Sequence, residues 1–302
     1  MSTTAEATTA VRMSFHQFHF DMRAFMRNRQ SQFFTLILPI LFLVIFASVF
    51  GGSDTVKVAG GRIKTSVSYV PGIITLGIIS AAFANLVISV TAQRESGVLK
   101  RRRATPVPAS AIIGGRALTA VITALVITAV LLVIGWAAFS AHIPARTAPA
   151  LVVAVIVGAL SFCCLGFAVA SIIRDQDAAQ PVTQAVLLPL YFISGVFIAA
   201  GQLPKWLVNV AGIFPVRHLA AALLKAYNPY TRGSGFAWVD LLIVAAWGVA
   251  GLVIALRRFS WLPLGRCTHP HQGGRRWPRR QRHEPATAPR TGRSRAPGSC
   301  PA

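Results

Sequence analysis

Residues 73–106 read IITLGIISAAFANLVISVTAQRESGVLKRRRATP. A helix rises 1.5 Å per residue, so about 20 apolar residues cross the roughly 30 Å hydrocarbon core of a bilayer. Ile73–Ala92 is such a stretch and carries no charge. Directly behind it, Arg94–Pro106 gathers Arg94, Lys100, Arg101, Arg102 and Arg103 into one short segment. Basic residues beside a span can serve orientation alone. This segment also holds an acid, Glu95, a glycine, Gly97, and a Thr105-Pro106 stop. That combination suggests a docking element for a cytoplasmic partner.

Five more stretches have the same character. They are Phe33–Phe50 with Pro39 inside it, Ile112–Phe139 with Arg116 near its start, Ala148–Ile173, Val182–Ala200, and Phe236–Leu256 with Asp240 near its first turn. Two shorter apolar pieces, Leu203–Phe214 and Val216–Ala226, are separated by Pro215. About a dozen residues each suits re-entrant or interfacial helices rather than crossings. The expected fold is all-α: a polytopic membrane protein with six transmembrane helices and an outer re-entrant helical hairpin.

Composition agrees. Of 302 residues, 54% are hydrophobic and 13% charged, whereas soluble domains carry about 25% charged residues. The net charge of +22 does not indicate nucleic acid, because it sits in short loops and in the tail after Arg257. Nine Arg and one Glu fall in residues 266–302. The tail has few aliphatic residues, cannot bury a core, and is expected to be disordered over 261–302. It would either bind anionic lipid or represent a shifted reading frame. Residues 1–12 are likewise expected to be disordered, leaving 13–260 as the membrane domain. No secretory signal peptide is expected, since the first apolar run begins only at Phe33.

Orientation follows the Lys and Arg distribution. Without the tail, 13 basic residues fall on the side of Arg94 and 8 on the other. The 13 cluster at span ends, which places both termini in the cytoplasm of a plasma-membrane protein. Before the first span, Phe15, Phe18, Met22, Phe25 and Met26 recur at helical spacing. They predict an amphipathic helix lying in the interface. His16 and His19 are three apart but lack a third ligand, and read as part of its polar stripe. Cys163 and Cys164 sit in an apolar run, and no CxxC is present.

Several functions find no motif. The sequence has no GxxxxGK[ST] phosphate loop, HExxH or GxSxG. Carboxylates at membrane depth are nearly missing, Asp240 being the nearest, whereas ion-coupled carriers need such groups. Energy for any transport is expected to come from elsewhere, and the chain is expected to be no enzyme and to bind no cofactor or metal.

In this order, the amphipathic leading helix, the RESGVLKRRRATPVP loop, LYFISGVFI at 190–198, QLPKWL and FPVRHL at 214–219 resemble the membrane subunit of ABC-2 type exporters, in the branch of daunorubicin-type drug permeases. The resemblance covers roughly 12–260. It implies a partner ATPase that holds ATP and Mg, and a second permease copy. Arg94, Glu95, Gly97, Leu99, Lys100 and Arg101 would then form the coupling element, with Leu99 as an apolar anchor. The acidic loop Arg174–Asp177 would be either a minor contact or a solvated turn. Phe214, Pro215 and His218 would belong to the outer hairpin capping the pathway. Phe83, Asn85, Tyr191, Phe192, Ser194 and Gly195 would line the substrate route. The implied cargo is a hydrophobic drug or antibiotic. The alternatives are a polysaccharide or glycolipid exporter, or a membrane anchor or scaffold that transports nothing.

Overall fold

The computed structural model describes residues 2–50, 55–58, 60–97, 109–139, 145–173, 175–197 and 204–258. Among these the chain is helical apart from one small hairpin. Helix α1 spans Ser2–Arg27. The expectation of a disordered 1–12 is corrected here: no Gly or Pro interrupts Ser2–Arg27, and its alanines favour helix. Helix α2 is assembled from Arg29–Gln32, a π-helical turn Phe33–Ile37, and Leu38–Val49. Strands β1 (Thr55–Val58) and β2 (Gly61–Lys64) pair antiparallel, a hairpin not expected from sequence.

Helix α3 joins Thr65–Ile79, a π turn Ser80–Ala84 and Asn85–Glu95 into one rod of 31 residues. Then follow α4 (Ala109–Phe139), α5 (Ala148–Ile172), α6 (Gln176–Ile193), α7 (Lys205–Ala211), α8 (Pro215–Tyr227) and α9 (Trp238–Arg258).

Of the six expected spans, four are helices long and apolar enough to cross a membrane: Thr65–Glu95, Ile113–Phe139, Ala148–Ile172 and Trp238–Arg257. The first expected span is a shorter apolar helix, Thr35–Val49. The fifth falls on α6, which opens with Gln176-Asp177 and contains Pro181 and Pro189. Its polar first half lowers the apolar density, and Ile198, Ala199 and Ala200 lie outside the described residues.

Helix α3 is the hub, packing against α2, α4, α5, α6 and α8. Val70, Ile73, Ile74, Ile78, Ile79 and Val87 are fully buried along it. In lipid, such packing is driven by close van der Waals fit rather than by escape from water, and small residues permit it. The long α5–α9 face shows this. A Cβ added at Gly248 would come within 2.7 Å of Ser161, and one at Gly251 within 2.9 Å of Leu165. Helix α8 presents Leu219, Leu223 and Tyr227 at four-residue spacing, all buried, against α3, α5 and α9. Helix α1 lies along α4, and α6 makes its main contacts with α3 and α7.

Candidate functional site

The basic loop begins where α3 ends. Ser96 N–H donates to Ala92 O at 3.0 Å and Gly97 N–H to Arg94 O at 3.2 Å. Gly97 has φ +72°, a left-handed conformation that ends helices and favours glycine. Arg94 is buried, and its guanidinium donates to Ala170 O at 3.1 Å and also to Ile173 O. These are carbonyls at the C-terminus of α5, left without helical partners and suited to a cation. The adjacent Glu95 is exposed on its other side, and its Oε2 accepts the Gln176 N–H at 2.9 Å. That N–H opens α6, where an anion is favoured. Thus neighbouring side chains at one helix end fasten α5 and α6 together. Glu95 and Gly97, singled out from sequence for docking, each have an internal role, Glu95 in this fastening and Gly97 in ending the helix. Leu99, Lys100 and Arg101 lie outside the described residues.

Away from this loop, Phe214 caps α8 and Pro215 is its buried first residue. The His218 ring lies with Nδ1 2.7 Å from Asp240 Oδ1 and Nε2 2.9 Å from Gly212 O. The ring thus bridges the Asp240 carboxylate and the Gly212 carbonyl. Trp247 Nε1 donates to Ile213 O at 3.1 Å. The turn before α8 is therefore tied twice to α9. Sequence reading named His218 and Asp240 separately; their pairing across 22 positions carries no local signal.

A cavity of about 260 Å³ opens among α2, α3 and α6. Its polar side includes Ser31, Thr35, Asn85, Gln180, Thr183 and Gln184; its apolar side includes Leu38, Phe42, Leu76, Leu187 and Phe197. Thr183 is buried and its hydroxyl has no hydrogen-bond partner. The Tyr191 hydroxyl, also lining the cavity, faces Ser80 outside hydrogen-bonding geometry. Phe197 stacks on Phe46 at 5.2 Å and meets Phe42 edge-on at 5.5 Å.

Of the six residues expected on a substrate route, Asn85 and Tyr191 line this cavity. Phe83 is buried in the core beside Gly166 of α5. Phe192 is half exposed on the outside of α6. Ser194 is buried without a hydrogen-bond partner, and Gly195, at φ +79°, turns the chain after α6. The cavity residues missed from sequence were visible as a pattern. Gln180, Thr183, Gln184, Leu187 and Tyr191 follow i, i+3, i+4, i+7 spacing and form one helical face.

A second cavity, of about 220 Å³, lies between α1, α3 and α4. Asn28, Ser31 and Asn85 line both cavities. Here Arg116 Nε stands 3.6 Å from Asp21 Oδ2, with both side chains 9% exposed. Arg116 also donates to Ser89 Oγ at 2.5 Å, and Gln17 Nε2 donates to Asp21 Oδ1 at 2.9 Å. Neither charge was assigned a role from sequence.

Residues 18–228 match the family profile of the ABC-2 type transporter. The chain belongs to the ABC-2 type transporter family. As an ABC-2 protein it is a multi-pass membrane subunit of an ATP-binding-cassette transporter. It is 28% identical over 140 residues to the probable multidrug ABC transporter permease YbhR of Escherichia coli K12, and equally to the YbhR protein of Escherichia coli O157:H7. The aligned stretch covers 46% of this chain and only 38% of those relatives. The profile takes in α3 to α8 whole, and so the lining of both cavities and the fastening at Arg94 and Glu95, while Asp240 and Trp247 of α9 lie beyond it.

Proposed function

We propose that this chain is the export permease of an ATP-binding-cassette transporter, working as a dimer with two separate ATPase subunits. ATP and magnesium belong to those partners. Helices α2 and α6 complete six crossings, both termini face the cytoplasm of the plasma membrane, and α7 with α8 forms the outer re-entrant hairpin. The loop from Arg94 to Arg101 meets the ATPase, with Leu99, Lys100 and Arg101 as its contacting residues. Closure of the ATPases on ATP shifts the permease between two states by differential affinity.

The observation that carries this reading is the continuity of α3. One rod of 31 residues, Thr65–Glu95, passes Asn85 in the cavity and ends at the Arg94–Glu95 fastening. Displacement of the loop therefore moves the α3 wall of the cavity and, through Gln176, the first turn of α6. The cargo is a hydrophobic drug or antibiotic, in keeping with the resemblance to the probable multidrug permease YbhR. A cavity of about 260 Å³ suits a compact molecule better than a glycan chain.

The test is a mild-detergent capture of the tagged chain from its native host, followed by mass spectrometry. An ATPase with a phosphate-binding loop is expected to co-purify and to be lost from Lys100→Glu/Arg101→Glu. Recovery of the permease alone in several detergents overturns the proposal in favour of an anchor.

A further inference from the structure

The cavity at Asp21 and Arg116 has no part in the reading so far. An ion pair that merely pinned α1 to α4 would be closed in by apolar packing. This pair instead borders about 220 Å³ of open volume, lined further by the uncharged polar side chains of Ser89, Gln93, Thr119 and Asn85. Charges this buried are costly unless matched by partners. Asp21 and Arg116 place one anion and one cation side by side at a single cavity. Asn28, Ser31 and Asn85 also line the larger cavity next to it, whose wall turns apolar at Leu38, Phe42 and Leu187. Charge at one end and hydrocarbon at the other is the shape of an amphiphile.

We infer that this composite groove binds an amphiphile with a zwitterionic head. Arg116 takes the anionic group, Asp21 the cationic one, and the apolar body lies along Leu38, Phe42 and Leu187. The inference names the substrate class for the proposed exporter and rests on that reading only for the transport step. A phospholipid of the surrounding bilayer offers the same head chemistry as a zwitterionic cargo.

Binding is measured on the full chain in nanodiscs, with radiolabelled dodecylphosphocholine as probe and dodecyl maltoside, the same chain with an uncharged head, as comparison. Dodecylphosphocholine is expected to bind more tightly, and Arg116→Gln or Asp21→Asn to weaken it by roughly tenfold or more, as for loss of a charged hydrogen bond. Dodecyl maltoside binding should not change. Equal affinity for both probes, or unaltered dodecylphosphocholine binding in folded variants, overturns the inference. Where those variants fail to fold, Ala24→Leu decides, because Ala24 lines the cavity from the exposed side of α1. Lost head-dependent binding there supports the site, and unchanged binding overturns it. Native phospholipid displaced by the probe, read by mass spectrometry, identifies a bilayer ligand; ATP-driven uptake of the probe by inverted vesicles identifies cargo. The binding assay needs no ATPase, so failure of the head site and failure of the export reading appear in separate measurements.

Discussion

The two sides of α3 are built differently. On one side, α5 and α8 close on it with small and aliphatic residues, and behind them Gly248 and Gly251 bring α9 against the α5 backbone. On the other, α2 and α6 meet it across a cavity containing Asn85, Gln184 and the unpaired hydroxyl of Thr183. The same side carries the π turn Phe33–Ile37 and the prolines Pro181 and Pro189. Single-turn π bulges are frequent at functional sites, and here the polar side chains face an open volume instead of closely packed neighbours. The difference separates a rigid half from a half able to change shape around a ligand.

The largest expected effect breaks the rigid half. Gly248→Leu would drive a side chain into Ser161, whose Cα would stand 2.8 Å from the new Cβ. Overpacking of this kind costs about 3 kcal/mol or more. Thermal unfolding in detergent should show a large loss of stability, or no folded protein.

Next is the fastening shared by both halves. Arg94→Met removes the donor to Ala170 O and Ile173 O, a loss of about 2 kcal/mol for bonds from a charged group. The variant should still bind the ATPase, while cargo-dependent stimulation of ATP hydrolysis falls. Unchanged stimulation would contradict a transmitting role for this contact.

Smaller again is His218→Ala, which frees the turn before α8 from Asp240 and Gly212. About 1–2 kcal/mol is expected, read as a lowered unfolding temperature. The smallest change has the opposite sign. Thr183→Val replaces a buried hydroxyl without a partner by a methyl group, and should raise stability by about 1 kcal/mol. If Thr183 serves the cavity, ligand affinity should fall in the same protein. A loss of stability would show that the hydroxyl is satisfied, and would weaken the contrast between the two halves.

Much of the rigid half was legible in the sequence. Ile73–Ala92, Ile112–Phe139, Ala148–Ile173 and Phe236–Leu256 are long apolar runs with at most one charge each, and each lies on a described helix long enough to cross. The other half was read less well for a physical reason. A helix that lines a cavity mixes polar with apolar residues, so α6 loses the apolar density that marks a span. Its face at Gln180, Thr183, Gln184, Leu187 and Tyr191 becomes visible only when polar positions are tested for helical spacing. Glu95 and Gly97 stood out in the sequence as candidates for docking. Their internal roles depend on Gln176 arriving from 81 positions away and on a left-handed turn, neither written in the local pattern. The pairs Asp21–Arg116 and His218–Asp240 were hidden for the same reason: each joins two different helices.

The contrast between the halves is tested most directly by hydrogen–deuterium exchange. The permease would be assembled with its ATPase and compared with and without a non-hydrolysable ATP analogue. Local opening free energies differ across a structure, and exchange reports them segment by segment. The account predicts altered exchange in residues 29–49, 80–95 and 176–193, with little change in 148–172 and 238–258. Changes concentrated in α5 and α9, with α2 and α6 silent, would contradict it.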